Sequence, residues 1–215
     1  MTSTYLDRID AGQRLADALA KTDVGQDTLV LGLPRGGVPV AAEIADRFSL
    51  ELDVLNVRKL GAPLQPELAM GAIAEDGSRY LNAYLIPRLG VSEGDVERVQ
   101  VREQQTLTER SRRYRGDRPP ARISGRHVIL VDDGLATGAT MHAAVLAVRK
   151  QHPARITVAV PVAARDSADE FRTLVDQVVC PMEPVDFTAV GYWYQHFDQV
   201  ADEDVCRLLR SPAPD

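Results

Sequence analysis

The sequence predicts an α/β fold with a mostly parallel sheet flanked by helices, and three observations carry that expectation. Short apolar runs rich in β-branched residues alternate along the chain with helix-compatible segments. Two of those runs pass through a glycine turn into a helix, at Pro34-Arg35-Gly36-Gly37 and between Asp132 and Thr140. At 215 residues the chain can bury one substantial core, so a single domain over 1–215 is expected.

The elements follow in order. Leu15, Leu19 and neighbouring alanines fall at helical spacing between Asp7 and Lys21, with acidic residues suited to a first turn. Thr28–Leu33 reads as a strand, and the segment after Gly37 reads as a helix to Phe48. Leu52–Val57 reads as a second strand, parallel to the first through a right-handed crossover. Asp76-Gly77 marks a hairpin turn between 69–75 and 78–82. Ser92 and Asp95 form a loose capping box opening one long amphipathic helix to about Tyr114, stopped by Gly116. A proline-containing connector over 116–126 leads to His127–Val131, the strongest strand signal in the chain. A helix over 141–151, a strand over 156–160, a helix over 167–174 and a short strand over 178–180 complete the alternation, which demands a sheet covered on both faces.

Composition narrows the function classes. A formal charge of −6 argues against generic polyanion binding, so nucleic acid is not an expected partner. No stretch approaches the roughly 20 apolar residues of a membrane span, and the start Met1–Arg8 lacks an apolar leader core, so a cytoplasmic location is expected. Cys180 and Cys206 show no metal-ligand spacing and read as reduced thiols.

The chemistry concentrates between Val128 and Met141. A buried strand there ends in two carboxylates, Asp132 and Asp133, and runs through Gly134, Thr137, Gly138 and Thr140 into a helix. Ligands of open α/β sheets bind at strand carboxyl ends, and a helix N-terminus with small residues and hydroxyls makes an anion cradle. Carboxylates beside a cradle would repel bare phosphate, so the pairing fits a ligand carrying hydroxyls or Mg²⁺ next to its phosphate, such as a sugar phosphate. A P-loop would need lysine where Ala139 stands. A Rossmann fingerprint wants one acid about 20 residues later, and a receiver domain would place its acidic pair near its start.

This segment resembles the 5-phosphoribosyl 1-diphosphate (PRPP) signature of type I phosphoribosyltransferases: an apolar strand, two acids and a Thr-Gly-x-Thr turn. The resemblance runs from about Thr28 to Cys180, and the wording around Leu33–Ala41 and Val57–Pro63 is similar to stand-alone predicted members of that group. It implies the type I fold with a hairpin and long-helix insertion over about 60–118 and a C-terminal hood over about 181–210. It implies a Mg²⁺-dependent transferase moving ribose 5-phosphate from PRPP to a nitrogenous base, with release of pyrophosphate, as in nucleotide salvage; the alternative is a PRPP-sensing regulator without catalysis. Asp132 and Asp133 would meet the ribose hydroxyls and the Mg²⁺ shell, and Ala136, Thr137, Gly138, Ala139 and Thr140 the 5′-phosphate. Arg35, Gly36, Gly37 and Arg58 would hold pyrophosphate, and Lys59 would stand with the acids as a catalytic cation. Ala136 replaces the additional acid of the 6-oxopurine enzymes, which disfavours hypoxanthine or guanine. A homo-oligomer, a dimer, is also expected.

Three further features stay open. Seven arginines between Arg110 and Arg126 form either a solvated helix end or a patch for RNA or an acidic partner. Phe187, Tyr192, Trp193, Tyr194 and Phe197 either pack a tail on the core or form a hood over a planar acceptor, with Tyr192 and Trp193 as its contacts. Glu67 and Glu75 flank the region where the family carries a mobile loop and could assist the acceptor.

Overall fold

The computed structural model describes residues 4–210. In chain order the elements are α1 (Arg8–Leu19), β1 (Leu29–Gly32), α2 (Gly37–Phe48), β2 (Glu51–Val54), β3 (Val57–Ala62), β4 (Gln65–Ala74), β5 (Arg79–Leu81), α3 (Leu85–Arg88) and α4 (Glu93–Arg115). Then come β6 (His127–Val131), α5 (Ala139–Arg149), β7 (Arg155–Ala159), α6 (Arg165–Leu174), β8 (Gln177–Val179), a 3-10 turn over Val190–Trp193 and α7 (Asp202–Leu208).

Five strands form a parallel sheet in the order β2-β1-β6-β7-β8. Successive residues of a strand face opposite sides, and both sides here are apolar. Val30, Ile129, Val131 and Ala159 pack against Leu15 and Leu19 of α1 and Val40, Ala41 and Ile44 of α2. Leu29, Leu31, Val128, Leu130 and Val158 face the other way, onto Met141 to Val148 of α5 and Phe171 of α6. The sheet is therefore covered on both faces, as the alternation of strand and helix requires. It is flanked by helices in the manner of the type I phosphoribosyltransferase fold that the sequence resembles.

The second expected strand is corrected in its boundary. Leu52–Val57 is not one strand: β2 ends at Val54, the chain turns through Leu55 and the buried Asn56, and β3 starts a separate three-stranded antiparallel sheet, β3-β4-β5. Apolar residues stand on both sides of the break, and the single polar Asn56 at it is what an alternating strand also shows, so periodicity does not distinguish the two. Arg58 and Lys59 consequently lie inside β3, paired opposite Ile73 and Ala72, rather than at the end of a parallel strand. The expected hairpin at Asp76-Gly77 forms, with Gly77 at a φ of +82°, and joins β4 to β5. β4 begins at Gln65, earlier than expected, because its first half pairs with β3.

Ser92 caps α4 with a full capping box in which Asp95 answers. Over 23 residues α4 buries Val96, Val99 and Leu107 against Leu60, Met70 and Ile73 of the second sheet. Its C-terminal turn reaches α7, where Tyr114 joins Val38, Val54, Val205 and Leu209. The first described residues meet the segment before α7: Tyr5 donates to Trp193 O, and Gln195 and His196 donate to Tyr5 O and Leu6 O. No helix among the described residues is long and apolar enough to cross a membrane.

Candidate functional site

Asp132 and Asp133 follow the last residue of β6, where the sheet's carboxyl edge meets the start of α2. The fit is tight: a Cβ added to Gly36 would lie 1.9 Å from Asp133 Oδ2, and one added to Gly37 would lie 2.5 Å from Val131 O. These two glycines are thus required by the approach of α2 to the acidic pair. The N–H of Gly37 is already engaged by Leu33 O at 3.0 Å. The Pro34–Arg35 peptide is cis.

Burial, and then the neighbouring Asp133 charge, push the Asp132 carboxyl well above the usual carboxylate range. Burial also raises Asp133, while Arg8 opposes it through bonds from Nε and Nη2 to Oδ2, each 2.9 Å. Asp132 Oδ1 accepts the N–H of Asp133 at 2.9 Å. The Tyr194 hydroxyl, which burial and then the Asp133 charge keep protonated, donates to Asp133 O at 2.5 Å. Arg8 in turn lies 3.9 Å over the ring of Phe197 and donates to Asp198 O.

The turn after the acids leads into α5. Leu135 donates to Val162 O, and Ser167 Oγ donates to Ala136 O, tying the turn to the segment after β7. Gly138 is the N-cap residue at a φ of +73°, and no side chain caps the helix. First-turn N–H groups without a side-chain cap are what an anion would use. Ala136 and Thr137 are exposed and Thr140 half-buried, so the turn is open on its outer side. Gly138 itself faces inward: a Cβ there would lie 2.7 Å from Phe171. The positive φ and the core ring explain this glycine.

These acids form part of a cavity of about 700 Å³ lined also by Pro34, Gly36, Arg58, Lys59, Arg102, Glu103, Arg110 and Thr140. Among the expected residues, the structure brings Asp132, Asp133, Lys59, Arg58, Gly36 and Thr140 to this one space. Arg35 is not among the lining residues; its guanidinium is turned toward Asp202 of α7 at 3.9 Å. Tyr192 and Trp193 do not line the cavity either. Tyr192 is 73% exposed. Trp193 is half-buried in a cluster with Tyr5, Val162, Met182 and Val190, and its indole N–H has no hydrogen-bond partner among the described residues. From the aromatic window, Tyr194 and Phe197 are the rings that reach the acidic pair, the first directly and the second through Arg8.

Part of the arginine stretch is solvated, with Arg112 and Arg122 exposed, and others of its members take separate partners. Arg113 pairs with Asp202 and Glu203, and Arg115 is buried against Asp53 and Glu75. Arg118 donates to Leu209 O, and Arg126 pairs with Asp27 and Glu51. Glu75, bound also by Asn56 and Ser111, belongs to that structural network. The side chain of Glu67 lies outside the described residues. Cys180 and Cys206 are both free, and burial pushes the Cys180 thiol up to about 12.

Sequence reasoning missed Arg8 as the partner of Asp133 and Arg102 and Glu103 as residues lining the same cavity, and treated Arg110 only as part of a basic run. No local pattern distinguishes them from ordinary helix-surface charges; only the packing of α1 and α4 brings them to the cleft.

The chain is similar to known proteins in sequence and in fold. A family model described as a phosphoribosyl transferase domain matches residues 1–195. Two Mycobacterium tuberculosis proteins, each named "putative phosphoribosyl transferase", are 43% identical over 203 residues, covering 94% of this chain and 46% of theirs. The chain thus spans about half the length of these curated relatives. The crystal structure of TT1426 from Thermus thermophilus is similar at a TM-score of 0.81 and 45% identity, over 96% of this chain and 97% of that one. A hypothetical protein from Neisseria gonorrhoeae with bound ppGpp shares the fold alone, at 12% identity and a TM-score of 0.53 over 96% of this chain and 94% of that one.

Proposed function

The chain belongs to the phosphoribosyl transferase domain family, and from that premise we propose that its cleft takes PRPP with Mg²⁺ and transfers the ribose 5-phosphate to a nitrogenous acceptor, releasing pyrophosphate. One observation carries this reading: acids, cations and a helix N-terminus without a side-chain cap share one end of the sheet. PRPP has the matching division into a 5′-phosphate, two ribose hydroxyls and a diphosphate. The α5 N-terminus would hold the 5′-phosphate through its unpaired N–H groups and the helix dipole. Asp132 and Asp133 would accept the ribose hydroxyls, and those bonds would favour the ionised form that burial disfavours. Arg58 and Lys59 would take the diphosphate.

The donor set fits Mg²⁺ as a shared ion. Among the described residues no group of three or more His, Cys, Asp or Glu side chains could hold a metal ion, so Asp132 and Asp133 would complete a shell supplied mainly by the ligand's oxygens and water. When bound, the ion would neutralise charge on the departing diphosphate. The C1–O bond to diphosphate breaks with its electron pair, a C1–N bond forms, and the acceptor's proton is released. The protein's contribution is positioning and electrostatic stabilisation. Use in salvage, a cytoplasmic setting and a dimeric assembly belong to the same proposal.

A second reading is favoured by the absence of Tyr192 and Trp193 from the cleft lining, which leaves no expected ring to stack on a base. On that reading the chain senses PRPP without turning it over. Calorimetry with PRPP and Mg²⁺, followed by a pyrophosphate-release screen against nitrogenous bases, separates the cases. Binding with release supports the transferase, binding without release supports the sensor, and no binding rejects both.

A further inference from the structure

Four cations line the cleft, and they are not equivalent. Arg58 of β3 and Arg102 of α4 are bound to the same carboxylate: Glu103 accepts from Arg58 at Oε2 and from Arg102 at Oε1, the latter at 2.9 Å. Glu103 is 7% exposed, and although burial opposes its charge, the bonds from Arg58 and Arg102 hold its carboxyl below the usual range. Lys59 and Arg110 have no hydrogen bond or ion pair to any of the described residues, although Lys59 lies close enough to favour the ionised form of Asp132. The β3 and α4 side of the cleft therefore carries four positive charges against one negative. Uncompensated cations gathered in a partly enclosed space repel one another unless a multiply charged anion joins them.

We propose that α4 is a diphosphate-holding arm of this cleft, with Arg110 and Lys59 as contacting cations and Glu103 as a positioning residue for Arg58 and Arg102. The proposal rests on the PRPP reading and assigns its diphosphate end to residues of the long helix. Glu103 and Arg110 are seven residues apart on α4, so both fall on one stripe of the helix. Each guanidinium has five N–H donors, so sharing one carboxylate leaves Arg58 and Arg102 with donors for a ligand. Arg35, the residue first expected to meet pyrophosphate, lies 3.9 Å from Asp202 and does not line the cavity, whereas the cations of β3 and α4 do.

The test measures inorganic pyrophosphate, ribose 5-phosphate and PRPP binding to the full chain with Mg²⁺ by calorimetry. Arg110→Gln and Lys59→Gln should each weaken pyrophosphate and PRPP about tenfold while leaving ribose 5-phosphate unchanged, with Arg110→Lys recovering much of the loss. Arg112→Gln removes an equal charge from an exposed position outside the cleft and should change none of the three. Glu103→Gln discriminates by sign: as a positioning residue its loss weakens pyrophosphate, whereas a mere negative charge near the site would strengthen it when removed. Parent protein that does not bind pyrophosphate, or Arg110→Gln that binds it as the parent does, overturns the arm. Failure of the parent to bind ribose 5-phosphate and PRPP, with Arg110-dependent pyrophosphate binding intact, would instead sink the PRPP reading and leave the arm standing.

Discussion

Arg8, the first residue of α1, pairs with Asp133 at 2.9 Å across 125 positions of sequence. The contact bonds a cation directly to the second acid, whereas Asp132 feels Arg8 and Lys59 only at longer range, so the two carboxylates are electrostatically distinct before any ligand arrives. Phe197 lies against the same guanidinium and Tyr194 on the Asp133 carbonyl, so α1 and the segment between β8 and α7 both brace this acid.

Removing that cation leaves a partly buried carboxylate with less compensation. Arg8→Ala should cost about 1–3 kcal/mol in denaturant unfolding and weaken PRPP binding, with Arg8→Lys intermediate because a lysine cannot reproduce the fork. Equal stability of Arg8→Ala and the parent would show the pair to be energetically idle.

The opposite sign is expected at Asp132. Its carboxyl is raised in the folded protein, so the favourable contribution is fully present below the unfolded carboxylate range and is lost as pH rises through the folded value. Asp132→Asn keeps an oxygen for the Asp133 N–H and removes the charge. Its melting temperature should exceed that of the parent by a margin that grows from acid to neutral pH, while PRPP binding is lost. A margin that shrinks with rising pH would contradict the electrostatic argument.

At Gly138 the geometry concerns folding more than ligand. A valine must adopt a φ of +73° and press on Phe171, so Gly138→Val should destabilise by about 2–4 kcal/mol, measured by chemical denaturation. A variant as stable as the parent would mean that α5 and α6 can separate without cost.

Trp193 gives a test of the hood. Since its indole N–H is buried without a partner among the described residues and its ring lies outside the cleft, Trp193→Phe should stay within about 1 kcal/mol of the parent and leave PRPP and acceptor affinities unaltered. Selective loss of acceptor binding in Trp193→Phe would restore the hood.

Sequence alone determined the parallel sheet, the hairpin at Gly77, the capped start of α4 and the acid-to-turn segment over 132–140. Each is written in residues that are neighbours in the chain: an apolar run, a capping pair, or a glycine where the backbone turns left-handed. Tertiary structure decided the rest. The change of sheet at Asn56 leaves no distinct mark, because one polar residue among Leu52, Val54, Leu55 and Val57 is what an alternating strand also shows, and the pairing of β3 with β4 depends on hydrogen bonds between separate segments. The duties of the arginines were equally hidden, because a guanidinium's role is set by the carboxylate it meets. Arg115 met Asp53 and Glu75, Arg35 met Asp202, Arg8 met Asp133, and Arg110 met none among the described residues, so long-range packing sorted similar charges into structural ties and open positions in the cleft.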